Sequence, residues 1–274
     1  MPELPEVETI RSGLERVLPG KKVAVVEVRY PQAVKIPTAA ELEEKLPGRT
    51  VAAIKRRGKY LQIFFACGTV LVVHLRMTGR LLYFPAPQEW DKHTHVLFHF
   101  CDGSVLAFHD VRKFGTLYWV TPERFCEIHG LHTLGPEPLS AGFTAGYLQE
   151  QARRRKTSIK ALLLNQQVVA GLGNIYADEA LHRAGIRPDR PAASLGANEI
   201  AALQQSVCDV LREAVFYRGT TMSDYRDATG REGGFREHLR VYRRSGKACT
   251  NCGHTIMRTV VGGRGTHFCP HCQH

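Results

Sequence analysis

The sequence predicts an α+β fold, with a helix and a strand-rich half first, a helical half after it, and a short cysteine-bearing ribbon at the end. Three observations predict it. Short apolar runs separated by Gly- and Asp-bearing turns fill residues 23–120. Beyond a connector rich in Pro and Gly, apolar residues recur at helical spacing. Four of the eight cysteines fall in the last 26 residues, as two close pairs.

Pro5 followed by Glu6 and Glu8 is a helix-start signal, because proline suits the first helical turn and acids suit its dipole. Val7, Ile10, Leu14 and Val17 continue it as an apolar stripe, and Pro19-Gly20 ends it. The strand-like runs are Val23–Val28, Leu61–Phe65, Val70–Val73, Val96–Phe100 and Val105–Phe108, with one helix at about Ala39–Leu46 between them. Many short strands at such spacing suggest a sandwich or a barrel. Gly135-Pro136-Glu137-Pro138-Leu139-Ser140 is the connector, and helices are expected at Ala145–Arg154, Ser158–Leu164, Ile175–Ala184 and Ala197–Tyr217. Ser223–His238 is polar and aperiodic and reads as a long mobile loop, of the length that often covers a site. The domains are expected at 1–134, 135–238 and 239–274.

The chain has 274 residues, enough for one large domain or two ordinary ones, and its 43 % apolar content excludes global disorder. Its formal net charge is +11 and its pI about 9.4, which points to a polyanionic partner. The charge is clustered. Residues 236–274 hold seven Lys or Arg against one acid, and Arg153-Arg154-Arg155-Lys156 with Lys160 form a second basic run. Clustered bases suit a row of phosphates. The N-terminus lacks the apolar core of a secretory signal, and no apolar run approaches the ~18 residues of a membrane span, so a cytoplasmic protein is expected. Disulfides are not expected there. Cys67, Cys101, Cys126 and Cys208 read as core fillers.

Cys249, Cys252, Cys269 and Cys272 are spaced C-x2-C-x16-C-x2-C. Four thiolates close a tetrahedral shell around one zinc ion and leave no open position, so the metal is structural rather than catalytic. Val260–Phe268 reads as a two-stranded ribbon with Arg264 between glycines at its tip, where small neighbours let a guanidinium approach a phosphate.

The extreme N-terminus, Met1-Pro2-Glu3-Leu4-Pro5-Glu6, suggests chemistry as well as capping. Removal of Met1 before the small Pro2 exposes a secondary amine. An α-amino group has an unperturbed pKa of about 7.7–8.0, so it is partly unprotonated and nucleophilic at neutral pH. Such an amine can attack a sugar C1′ and form a Schiff base, and neighbouring carboxylates can move the protons.

This opening and the C-terminal ribbon resemble the formamidopyrimidine-DNA glycosylases. The resemblance runs through Arg57-Gly58-Lys59-Tyr60, His74-Leu75-Arg76-Met77, Asp110–Gly115, Leu134–Leu139, Val168–Tyr176 and Gly263–Thr266, and so covers essentially the whole chain. It implies an N-terminal β-sandwich carrying the amino-terminal helix, a helix-two-turn-helix domain and a zinc ribbon. It also implies a monomer acting on double-stranded DNA in the bacterial cytoplasm, with one structural zinc as the only cofactor.

The resemblance assigns roles as well. Pro2 is the nucleophile, Glu3 the general acid/base and Glu6 a supporting carboxylate; both acids also suit a helix N-terminus. Lys59 contacts the damaged base or its phosphate. Asn174 opens a helix and holds a phosphate or caps the helix, Arg264 joins Pro2, Glu3 and Lys59 in the catalytic set by approaching a phosphate, and His74, Lys160 and Tyr242 make backbone contacts. Met77, Arg112 and Phe114 fill the gap left by a flipped nucleotide, with Arg112 reading the orphaned cytosine. A plainer reading puts Met77 and Phe114 in the core and Arg112 in a surface ion pair. The chain departs from the family pattern at Arg218 and Arg243, where glycine is common. Two rivals are an endonuclease VIII-type glycosylase for oxidised pyrimidines and a non-catalytic zinc protein that binds DNA. Leu4 and the Arg112/Phe114 pair speak against the former.

Overall fold

The computed structural model describes residues 1–221 and 226–274. They form two compact units, Met1–His132 with Tyr217–Gly234, and Thr133–Phe216 with Phe235–His274. Residues 217–234, expected with the helical domain, thus return to the first unit, and the ribbon is part of the second.

In the first unit α1 (Leu4–Glu15) precedes β1 (Val23–Val28), β2 (Val34–Ile36), α2 (Ala39–Lys45), β3 (Val51–Arg57), β4 (Tyr60–Phe65), β5 (Val70–His74), β6 (Gly79–Phe84), β7 (Thr94–Phe100), β8 (Val105–Asp110) and β9 (Thr116–Val120). One antiparallel sheet has the order β1-β7-β8-β6. The other has the order β2-β9-β5-β4-β3, with only β2 and β9 parallel. Val26, Leu81, Phe98 and Phe108 of the first sheet share a core with Ile54, Leu61, Ile63 and Leu117 of the second, which is the expected sandwich. Val7, Ile10 and Leu14 seat α1 in that core at the spacing of one helical face.

Strands β2, β3, β6 and β9 are absent from the apolar runs read in the sequence. In β3, Lys55, Arg56 and Arg57 hide the alternation, and the strand forms because Arg56 and Arg57 pair with Leu61 and Tyr60 of β4. Cys67, Cys101 and Cys126 are exposed, against the expectation of core fillers, and only Cys208 of the four is buried. Cys67 and Cys101 sit in turns, and Cys126 in the 3-10 helix Pro122–Glu127, rather than in strand interiors.

The second unit carries α3 (Ala145–Arg153), α4 (Ile159–Leu164), α5 (Asn174–Arg183), α6 (Ala197–Phe216) and the ribbon β10 (Met257–Val261) and β11 (Arg264–Phe268). Thr144 and Ser158 start α3 and α4 by accepting from the N–H groups of Tyr147 and Ala161. Helix α5 is buried on nearly every side, Asp178 and Glu179 included. No described helix is long and apolar enough to cross a membrane.

The expected long loop Ser223–His238 differs in its described part, and residues 222–225 lie outside it. The Asp227 carboxylate accepts from the N–H groups of Thr229 and Arg231 and pairs with Arg218. Ala228 is buried in the sandwich core, Gly234 N–H donates to the Tyr217 carbonyl, and Phe235–His238 form a 3-10 turn. A buried aspartate thus folds a polar stretch into a tight turn that periodicity does not reveal.

Candidate active site and nucleic-acid interface

At the N-terminus Met1 is 54 % exposed, whereas Pro2 is buried. Behind Pro2 the backbone is fixed, because Glu3 N–H donates to Glu6 Oε2 at 2.8 Å. The other Glu6 oxygen accepts from Thr220 N–H at 2.7 Å. Glu6 therefore ties the start of the chain to the segment that returns after α6. Gly219 makes this possible, because a Cβ there would lie 2.7 Å from Glu6 Oε1 and the residue has φ +78°.

Lys59 sits in the two-residue turn joining β3 to β4, with Gly58 at φ 57° supplying the left-handed turn conformation. It is buried, not one exposed lysine among many. His74 ends β5 and is also buried. Burial, then the charges of Arg76 and Lys59, push its pKa down to about 3, so the ring is neutral at working pH. Its Nδ1 accepts from Arg76 N–H at 3.0 Å, which leaves the proton on Nε2 as a donor.

Met77 and the Arg112/Phe114 pair occupy two turns of this unit, and Asp110 fastens the turns together. Its buried carboxylate accepts from the Thr78 hydroxyl, from Arg112 N–H at 3.2 Å and from Gly115 N–H at 2.7 Å. Gly115 is required, because a Cβ would lie 2.5 Å from the Phe108 ring. The core reading of Met77 and Phe114 fails, since they are 41 % and 51 % exposed. Arg112 has no ion pair among the described residues, and its guanidinium lies 5.1 Å from the centre of the Phe114 ring. Two exposed apolar groups and a cation thus stand out from one braced surface.

In the second unit Arg264 is exposed beside the Gly262-Gly263 turn, whose φ values of 56° and 72° suit a tight hairpin. The next carbonyl, Gly265 O, accepts from Asn174 Nδ2 at 2.9 Å and from Lys160 Nζ at 3.2 Å. Gly173 is the N-cap of α5, so Asn174 is the first helical residue and not the cap. A DNA-backbone contact for Lys160 is corrected. Its side chain is 0 % exposed, paired with Asp178 Oδ1 at 2.6 Å and donating to Thr266 Oγ1 at 2.7 Å. The buried Glu179 carboxylate accepts from the N–H groups of Arg240, Val241 and Tyr242 at 2.8, 3.0 and 2.8 Å, which sets the Tyr242 backbone. The sequence reading missed Asp110, Asp178 and Glu179. For the last two, adjacent acids inside a helix with few other charges were the available signal.

The sulfurs of Cys249, Cys252, Cys269 and Cys272 lie within 4.8 Å of one another. Cys249 and Cys272 are 3.9 Å apart and Cys252 and Cys269 3.5 Å. A tetrahedron with Zn–S bonds of ~2.3 Å has edges of about 3.8 Å, so the donors fit one structural zinc. Cys252 also lies near His254 and His271, but those rings stack face to face at 4.2 Å.

Three family models match along the chain. They are the formamidopyrimidine-DNA glycosylase N-terminal domain over residues 1–117, its H2TH domain over 134–226, and the zinc finger found in FPG and IleRS over 246–274. The formamidopyrimidine-DNA glycosylase of Pelotomaculum thermopropionicum is 46 % identical over 273 residues, covering 100 % of this chain and 99 % of that protein. The Lactococcus lactis Fpg in complex with abasic-site DNA has a TM-score of 0.92 at 36 % identity, with 99 % of each chain covered. The same protein with Fapy-dG-containing DNA gives 0.91 at 36 % identity, again over 99 % of each chain. The chain belongs to the formamidopyrimidine-DNA glycosylase family.

Proposed function

We propose that this DNA-formamidopyrimidine glycosylase, a base excision repair enzyme with AP lyase activity, uses Pro2 as its nucleophile and takes oxidised purines as its substrates. The supporting observation is the clamped N-terminus, where Glu6 holds the Glu3 backbone with one oxygen and the Thr220 backbone with the other. Once Met1 is removed, the Pro2 nitrogen lone pair attacks C1′ of a flipped nucleotide, the N-glycosidic electrons leave with the base, and the base takes up the N–H proton that the Pro2 nitrogen sheds. Glu3 protonates the ring oxygen O4′ as the C1′–O4′ bond breaks, giving an iminium. Loss of a C2′ proton then expels the 3′ phosphate. Loss of a C4′ proton expels the 5′ phosphate, and water releases the sugar remnant and frees Pro2. The gap keeps phosphate at both ends.

Lys59 contacts the damaged base or its phosphate, and His74, Asn174, Tyr242 and Arg264 hold the backbone. Met77 and Phe114 fill the vacated stack, and Arg112 donates to the Watson–Crick edge of the orphaned cytosine. The substrates are 8-oxoguanine and formamidopyrimidines, excised by a monomer in the bacterial cytoplasm.

Sodium borohydride tests the nucleophile by reducing the iminium to a stable adduct. Wild-type protein is expected to trap on abasic DNA, and a variant with residues added before Pro2 is expected not to. Full-yield trapping by the extended protein would remove Pro2 from the role.

A further inference from the structure

Helix α5 faces the ribbon with three buried polar side chains. Asp178 accepts from His267 N–H at 2.8 Å, and Glu179 takes the three N–H groups of residues 240–242. One turn on, His182 is also buried, and its Nε2 lies 3.6 Å from Cys249 Sγ. The first two contacts position backbone. The third has no part in the chemistry proposed above, and it reaches the metal shell from outside the ribbon. Cys249 Sγ also receives Asn251 N–H at 3.5 Å, as Cys269 Sγ receives Cys272 N–H at 3.4 Å, but those donors belong to the knuckles themselves.

We propose that His182 is an N–H···S donor to the zinc-bound Cys249 thiolate and so sets how tightly the ribbon keeps its metal. A metal-bound thiolate offers lone pairs and no proton, so the facing imidazole nitrogen must donate. Four thiolates around a divalent ion leave a net charge of −2, and a buried donor spreads part of it. Outer partners of this kind orient the ligand and commonly change metal affinity by about 10–100-fold. Because α5 begins at Asn174, which holds the Gly265 carbonyl beside Arg264, the same helix joins the metal to the backbone next to that arginine. The role is independent of which lesion the enzyme excises.

The test uses the zinc-loaded full chain. His182→Phe keeps the bulk and removes the donor, and it is expected to release zinc to a chromogenic chelator about tenfold faster. His182→Gln restores a donor and is expected to release zinc within about threefold of wild type. Equal rates for wild type and His182→Phe would overturn the proposal, as would a Gln variant as fast as the Phe variant, since shape would then be the cause. A second readout needs no variant. In the cadmium-113-loaded wild type, a slowly exchanging His182 Nε2 proton coupled to the metal is expected, and its absence would also overturn the proposal.

Discussion

Lys160 and Asp178 form an ion pair with no exposure on either side, Nζ to Oδ1 at 2.6 Å. The lysine belongs to a basic run that reads in sequence as a phosphate contact, and the fold uses it instead to hold Thr266 and Gly265. Breaking such a pair leaves one charge buried alone. Lys160→Met is expected to cost about 3–5 kcal/mol in urea unfolding, and Lys160→Met with Asp178→Leu markedly less. The double variant should bind DNA with an unchanged salt slope, because no phosphate contact is lost. A slope lower by about one ion would restore Lys160 to the interface.

His74 sets a pH dependence of stability. Its folded pKa is pushed down to about 3 from the 6.5 of a free imidazole, by burial first and then by Arg76 and Lys59. Between these values the unfolded chain binds a proton that the folded chain does not, so this contribution is complete above about 6.5 and is lost as pH falls toward 3. His74→Asn is expected to flatten the acid limb of the stability–pH curve by about one proton. An unchanged slope in denaturant titrations at pH 4–7 would show that His74 is charged in the folded protein.

Asp110 and Thr78 brace the turns that carry Met77, Arg112 and Phe114. Arg112→Ala is expected to erode the preference for 8-oxoguanine opposite cytosine over adenine while leaving abasic-site cleavage largely intact. Thr78→Val removes one brace and keeps every presented side chain. It should slow excision by about tenfold through misplacement alone. Single-turnover excision on paired duplexes reads both effects, and a wild type indifferent to the opposite base would end the assignment of Arg112.

Arg218 and Arg243 occupy left-handed backbone, at φ 64° and 56°. That conformation costs a non-glycine residue about 1–2 kcal/mol. Arg243 is exposed, so Arg243→Gly is expected to gain up to about 1 kcal/mol and to lower DNA affinity modestly through the lost charge. Arg218 has a compensating partner in Asp227, so Arg218→Gly should gain less. Thermal melts of the two variants compare the gains, and a destabilised Arg243→Gly would contradict this account.

The zinc ribbon, the opening helix and five of the nine described strands of the first unit were legible because spacing and apolar runs specify them. Cys249 to Cys272 needed only their intervals, and α1 only its apolar stripe. Asp110, Asp178 and Glu179 were not legible as braces, because their partners are backbone N–H groups and residues far away in sequence. Met77 and Phe114 illustrate the same limit from the other side. Their exposure follows from turns held by Asp110, and nothing local in Leu75–Gly79 or Asp110–Gly115 states which way an apolar residue faces.

The Glu6–Thr220 contact spans 214 residues of chain. A ribosome adding about 5–20 residues per second needs roughly 10–40 s to make that interval. During this time Met1 is open to removal before the carboxylate behind Pro2 meets its second partner. The nascent chain therefore has Pro2 exposed early and the contact behind it assembled late. A truncated product of stalled synthesis, ending before residue 217, would carry Glu6 without the Thr220 contact.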